Sequence, residues 1–167
     1  MDGAYLFEGV FRQTAWVTND MDVAIRMFAQ DYGVINWYRS QNLTLQTGPG
    51  EFAQAHVALA KRGRSELELI QPLGGADRVY AQGLKSPKEG FQMSFHHLCY
   101  MLPTIEALEN VRQAALARGR AIVLSGSSEK GSTYFYTDDR AALGHLVEYI
   151  YCPQHYYDRL ETIIPVN

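Results

Sequence analysis

Two adjacent histidines, His96 and His97, stand in the stretch FHHLCYML at 95–102. Imidazole is both a common metal ligand and the side chain whose ordinary titration lies nearest neutral pH. The stretch reads as a half-buried β-strand, in which neighbouring residues face opposite sides, so only one of the pair should serve a given site. A degenerate copy lies upstream. QTAWV at 13–17 and HLCYM at 97–101 share the order polar, any, small, aromatic, apolar, which sets Gln13 opposite His97 at an offset of 84 residues. Near the other end of each copy, ELELIQP and HLVEYIY set Glu68 opposite Glu148 at an offset of 80 residues. Glu66 lies two residues before Glu68 on the same strand face, so register decides between them. Four potential metal ligands thus occupy two equivalent pairs of strand positions. An amide carbonyl, an imidazole and two carboxylates form a hard-to-borderline donor set suited to Zn²⁺, Ni²⁺, Co²⁺, Mn²⁺ or Fe²⁺. The two carboxylates would balance a dication.

The elements that must position these residues repeat in the same order. In the first half FRQTAWVT (11–18) reads as a strand, and Asn19 and Asp20 offer a cap for the helix MDVAIRMFAQDYG (21–33). VINWYRSQNLTLQT, FAQAHVALAKRG and RSELELIQP follow as strands, the last two joined by a hairpin turn around 62–64. In the second half FHHLCYML is a strand and Pro103 opens a helix that runs through TIEALENVRQAALARG to Gly119. RAIVLSGS, STYFYTDD and LGHLVEYIY complete it as strands. Each half is strand, helix, three strands. The chain therefore divides into a first βαβββ module at 9–72, a linker at 73–92 with a short helical stretch at ADRVYAQGL, a second module at 93–152, and a tail at 153–167 expected to pack back through its tyrosines and isoleucines. A period near 84 residues is too long for a solenoid and points to duplication of one unit.

Composition narrows the function classes. Hydrophobic residues make up 47% and charged residues 20% of 167 residues, the balance of an ordinary folded protein. The net charge is −3 and the densest basic cluster, KRGR at 61–64, falls in a turn, which argues against a nucleic-acid partner. No run approaches the ~18 apolar residues of a membrane span. The start MDGAYLFEGV lacks a secretory pattern, so a cytoplasmic protein with no membrane partner is expected. Two cysteines, Cys99 and Cys152, make neither a disulfide framework nor a cysteine zinc motif and are expected to be inert.

The duplicated unit with its four ligand-type residues resembles the vicinal oxygen chelate superfamily, whose members include glyoxalase I, methylmalonyl-CoA epimerase, bleomycin-binding proteins and extradiol dioxygenases. The resemblance covers about residues 9–152. It implies an α+β fold in which two βαβββ modules form a cupped mixed β-sheet around a metal site, as one glyoxalase-like domain over 1–167. Carried over position by position, it implies Gln13, Glu68, His97 and Glu148 as ligands of one divalent metal ion, Zn²⁺ being the first expectation and Ni, Co, Mn or Fe alternatives. This answers the question of the paired histidines in favour of His97, with His96 turned to the other face.

Such a metal polarises a carbonyl and stabilises the enediolate left when the neighbouring proton departs, and Glu148 is the expected general base. The ligand set resembles glyoxalase I most, and it disfavours an extradiol dioxygenase, which needs two histidines and one carboxylate. The polar anchors that hold glutathione in glyoxalase I fall on Val17, Pro72 and Met93. The expected activity is therefore proton transfer beside a carbonyl, as an isomerase, epimerase or lyase, on a small-molecule substrate not linked to glutathione. The alternative is a non-catalytic binding protein of the bleomycin-resistance type. His56, Tyr134 and Tyr136 are candidate substrate-binding residues, the two tyrosines sharing a face in TYFYT. The family pairs its modules either within a chain or across a homodimer, and the sequence leaves both open.

Overall fold

The computed structural model describes residues 6, 8–84 and 90–167. Its chain order is β1 (Val10–Thr18), α1 (Met21–Tyr32), β2 (Tyr38–Gly48), β3 (Glu51–Arg62), β4 (Ser65–Gly75), α2 (Arg78–Ala81), β5 (Met93–Leu102), α3 (Ile105–Ala117), β6 (Ile122–Ser127), β7 (Thr133–Asp138), α4 (Arg140–Leu143), β8 (Leu146–Tyr151) and α5 (Gln154–Ile163). Two βαβββ units are therefore present. The short α4, inside the expected DDRAALG connection, and α5, in the tail, are helices the strand pattern did not indicate.

Local chemistry sets the helix ends. The Asp20 carboxylate accepts from Val23 N at 3.0 Å to start α1, and Gly33 ends it in the left-handed region at φ 68°. Thr104, rather than Pro103, caps α3, its hydroxyl accepting from Ala107 N at 3.1 Å. Met21, Ala24 and Phe28 of α1 bury one stripe against Ala58, Ala60 and Leu69 on the outer face of the first module. Leu108 and Val111 of α3 do the same against Phe135, Val147 and Tyr149 of the second.

All eight strands form one sheet in the order β2-β3-β4-β1-β5-β8-β7-β6. Within each module the first and last strands run parallel, and the modules join through antiparallel β1 and β5. The repeat holds at the level of register: Gln13 pairs with Glu66 and His97 with Leu146, each partner lying two residues before the module's second candidate ligand. The central strands β1 and β5 have neighbours on both sides, so all four candidates sit at the middle of the sheet.

The sheet curls until its edge strands meet. Gln46 on β2 accepts from Ser127 N on β6 at 2.9 Å, and the Tyr134 hydroxyl donates to Gln46 O at 3.0 Å. The enclosed face holds Val17, Ala53, Ala55, Val57, Ile70 and Leu124. The tail returns as well. Lys61 N donates to Pro165 O at 2.8 Å, and the Asn167 side chain accepts from Ile35 N and Asn36 N at 2.9 and 2.8 Å. No helix among the described residues is long and apolar enough to cross a membrane.

Gly126 is where the curled sheet closes most tightly. A Cβ there would collide with Gln46 O and lie 2.7 Å from the Tyr134 hydroxyl. Gly126→Val should therefore part β2 from β6 and cost about 1–3 kcal/mol of stability in urea unfolding, whereas Val at exposed Gly119 would act only through its backbone at φ 70°.

Candidate functional site

Period-two alternation turns Gln13, Ala15 and Val17 of β1 toward the enclosed face, along with Glu66, Glu68 and Ile70 of β4, and Glu148 and Ile150 of β8. The four candidates converge. Gln13 Nε2 donates to Glu68 Oε2 at 2.8 Å, and His97 Nε2 lies 3.5 Å from Glu68 Oε2 and 3.2 Å from Glu148 Oε2. His97 is completely buried, and Gln13 and Glu148 are nearly so. Residues from both modules of one chain complete the cluster, so within this chain it needs no second copy.

Between Glu66 and Glu68 the decision is electrostatic. Glu66 Oε2 pairs with the Arg12 guanidinium at 2.9 Å, and both side chains are about nine-tenths or more buried. Arg12 also lies over the Tyr157 ring of α5, 4.9 Å from its centroid. Glu66 is thereby paired with Arg12, and of the two glutamates Glu68 is the one beside His97.

The two carboxylates beside His97 differ in character. Burial, and next the Glu148 charge, push the Glu68 carboxyl well above its ordinary value. Burial pushes Glu148 up too, but the His97 imidazole, the Cys99 thiol and the Tyr136 hydroxyl around it outweigh that and hold it below its ordinary value. Tyr136 packs edge-on against His97 with centroids 4.9 Å apart and is hydrogen-bonded to Glu148. Tyr80 in turn is hydrogen-bonded to Tyr136.

The paired histidines depart from the alternation expected of them. β5 carries a bulge: Ala15 pairs with His97 while Trp16 pairs with Phe95, which leaves His96 opposite no residue. His96 therefore does not face away. Its Nδ1 lies 2.8 Å from His97 Nδ1 and its Nε2 lies 2.9 Å from the Val79 carbonyl of α2. Its ring packs against Tyr80 at 5.4 Å. Burial, and then the neighbouring His97, push His96 down to about 3, so the ring is neutral at physiological pH.

His56 is not brought to the cluster. It stands between Ala55 and Val57, which point into the enclosed face, and so projects from the other side, where its Nδ1 accepts from Asn42 N at 3.1 Å. Strand alternation makes that assignment, and the TYFYT face behaves as expected: Tyr134 and Tyr136 both belong to the enclosed core. Val17 is buried in the same core and Met93 packs on the α1 side, so neither supplies a polar anchor. Four neighbours of the cluster went unrecognised in the sequence. Cys99 was legible, two residues after His97 on the same face. Arg12 and His96 depend on bulges, and Tyr80 on how the linker returns.

Among the described residues no three His, Cys, Asp or Glu side chains stand pre-arranged as a metal cage. The cluster is instead folded in on itself, with Gln13 presenting its amide nitrogen to Glu68. The test of fit is His97 Nε2, which is buried and has no hydrogen-bond partner. The Glu148 and Glu68 carboxylate oxygens flank it at 3.2 and 3.5 Å. Donor atoms bound at ~2.1 Å to one tetrahedral ion lie ~3.4 Å apart, so these separations suit a shared cation. Gln13, Glu68, His97 and Glu148 could hold a divalent metal, the glutamine then turning its carbonyl oxygen inward in place of the Nε2 it now presents to Glu68. A separate cavity of about 700 Å³, lined by Asp20, Val23, Pro72, Asp77, Leu84 and Phe91 among others, contains none of these four residues.

Comparison with known proteins agrees with this architecture. The sequence matches the Glyoxalase/Bleomycin resistance protein/Dioxygenase superfamily over residues 12–137. The chain belongs to that superfamily. No curated protein matches it in sequence. Among solved structures, it is similar to methylmalonyl-CoA epimerase from Mycobacterium tuberculosis at 17% identity and a TM-score of 0.56, covering 95% of this chain and 97% of that one. A variant of Streptomyces coelicolor methylmalonyl-CoA epimerase in complex with 2-nitronate-propionyl-CoA is similar at 14% identity and 0.56, covering 87% and 96%. The hypothetical protein BH1468 from Bacillus halodurans C-125 follows at 15% and 0.55, covering 88% and 96%. At these identities the likeness is one of fold.

The Arg12–Glu66 pair separates a structural ion pair from a ligand. Arg12→Met leaves Glu66 buried without its partner and should cost about 3 kcal/mol in denaturant unfolding. Adding Glu66→Leu should recover most of that loss, and metal uptake by the double variant should match the parent.

Proposed function

We propose that this protein is a divalent-metal-dependent enzyme that moves a proton on the carbon beside a carbonyl, with epimerisation the preferred reaction over other isomerase or lyase steps. The observation that carries the reading is the partnerless His97 Nε2 facing two carboxylates at 3.2 and 3.5 Å. An imidazole lone pair and carboxylate oxygens repel each other, and the repulsion is relieved when a cation or a proton lies among them. Gln13, Glu68, His97 and Glu148 would hold the metal, which when bound supplies Lewis-acid polarisation of a substrate carbonyl.

The remaining chemistry belongs to the chain. Glu148 is the general base: Tyr136 and Cys99 hold the carboxylate in place, and burial keeps bulk water from competing for the proton. Glu68, from the equivalent strand of the other module, supplies a second carboxylate for proton return, as inversion at carbon requires a group on each face. Tyr134 and Tyr136 offer aromatic walls and hydroxyls for the substrate's acyl portion. With Val17 and Met93 apolar, no glutathione grip is expected at those positions. The solved neighbours named as methylmalonyl-CoA epimerases, one in complex with an acyl-CoA analogue, support an acyl-CoA thioester as the substrate to try first. The aromatic lining would equally suit a binding protein without catalysis, and the same experiment distinguishes the two.

Protein purified without added metal should contain close to one equivalent of a divalent ion, lost in His97→Ala. The holoprotein should then catalyse deuterium exchange from solvent into the α-carbon of acyl-CoA thioesters. Glu148→Gln should lower that exchange at least ~100-fold. Exchange that survives in Glu148→Gln would reject Glu148 as the base. Thioester binding with no exchange would favour the binding protein.

A further inference from the structure

The hydrogen bonds around the bulge determine more than where His96 lies. The Val79 carbonyl can only accept, and it also receives the Gln82 side-chain amide at 3.3 Å. His96 Nε2, 2.9 Å away, must therefore carry a proton and donate it. His96 sits against that carbonyl and the Tyr80 ring, whereas His97 lies beside two carboxylates, so the bare ring nitrogen of the pair is His96 Nδ1. The 2.8 Å contact between the two Nδ1 atoms needs one proton between them, and only His97 can supply it. With His97 Nδ1 committed as a donor to His96, His97 Nε2 is the atom turned toward Glu68 and Glu148, at 3.5 and 3.2 Å.

We infer that His96 is a positioning residue, which, anchored on the Val79 carbonyl, accepts the His97 Nδ1–H and so fixes the His97 ring with Nε2 aimed between Glu68 and Glu148, where a cation would lie. The inference rests on the metal reading for its purpose but not for its geometry. The device depends on the β5 bulge. Regular alternation would turn His96 to the opposite face, and His97 Nδ1 would lose its acceptor. It also ties the linker to the site, since α2 supplies both the Val79 carbonyl and Tyr80, which packs on the His96 ring.

Proton-detected ¹⁵N spectra of the metal-free, histidine-labelled protein test the chain of hydrogen bonds directly. His97 should show a protonated Nδ1, and His96 a protonated Nε2 and an unprotonated Nδ1. A His97 with an unprotonated Nδ1 would overturn the inference without reference to any metal. The second arm compares Zn²⁺ affinity in His96→Leu and His96→Asn. The asparagine oxygen takes the place of Nδ1 as acceptor, while leucine offers none. His96→Leu should bind Zn²⁺ about 10–100-fold more weakly than the parent, and His96→Asn should recover most of the loss. Equal affinity in a folded leucine variant would also overturn it. Should the parent itself take up no divalent ion, the metal reading falls, and the tautomer measured in the spectra still decides the role of His96.

Discussion

The rest of the structure is arranged around a costly concentration of polar groups, in which two carboxyl groups and one imidazole nitrogen meet at the middle of an eight-stranded sheet, largely shielded from water. Burying even one charge without compensation costs several kcal/mol, so each group in the cluster needs a partner or a cation. Much of the interior supplies one. Tyr136 and Cys99 serve Glu148, Gln13 serves Glu68, and His96 serves the far nitrogen of His97. Only His97 Nε2 is left over, and the candidate chemistry begins there.

The two modules solve the same problem differently at equivalent places. In each, the residue just before the first ligand position leaves the regular ladder: Arg12 before Gln13 and His96 before His97. A bulge lets a strand place two consecutive side chains in the same neighbourhood, which alternation alone forbids. The first module uses this freedom to neutralise Glu66 with a buried guanidinium. The second uses it to seat an acceptor beside the candidate ligand His97. Duplication thus accounts for the repeated geometry, and divergence at positions 12 and 96 gives each half its own supporting chemistry.

Closure of the sheet and the return of the linker finish the enclosure. β2 meets β6 at Gln46 and Gly126, and α2 carries Tyr80 and the Val79 carbonyl to one side of the cluster while Asp77 and Ala81 line the neighbouring cavity. Among the described residues of the linker, the four-residue helix α2 borders both spaces. The fold, shared with solved epimerase structures at 14–17% identity, tolerates wide sequence change, because strand register fixes which positions share a face whatever side chains occupy them.

Much of this was legible in one dimension. Periodicity and turn residues located the eight strands and the two long helices, and the internal repeat aligned Gln13 with His97 and Glu68 with Glu148, because a duplicated unit keeps its strand positions even as residue types drift. Alternation also placed Tyr134 and Tyr136 on the enclosed face. The same rule misplaced His96, since an inserted bulge reverses alternation and leaves no mark in composition. His56 was assigned by type, although the alternation of Ala55 and Val57 placed it on the opposite side. The choice of Glu68 over Glu66 and the arrival of Tyr80 needed coordinates, because each depends on a partner tens of residues away: Arg12 for the first, and the folded-back linker for the second. Sequence determined which strand faces could gather donors, and tertiary structure decided which donors were already satisfied, since hydrogen bonds and ion pairs form between whatever side chains the closed sheet brings within about 3 Å.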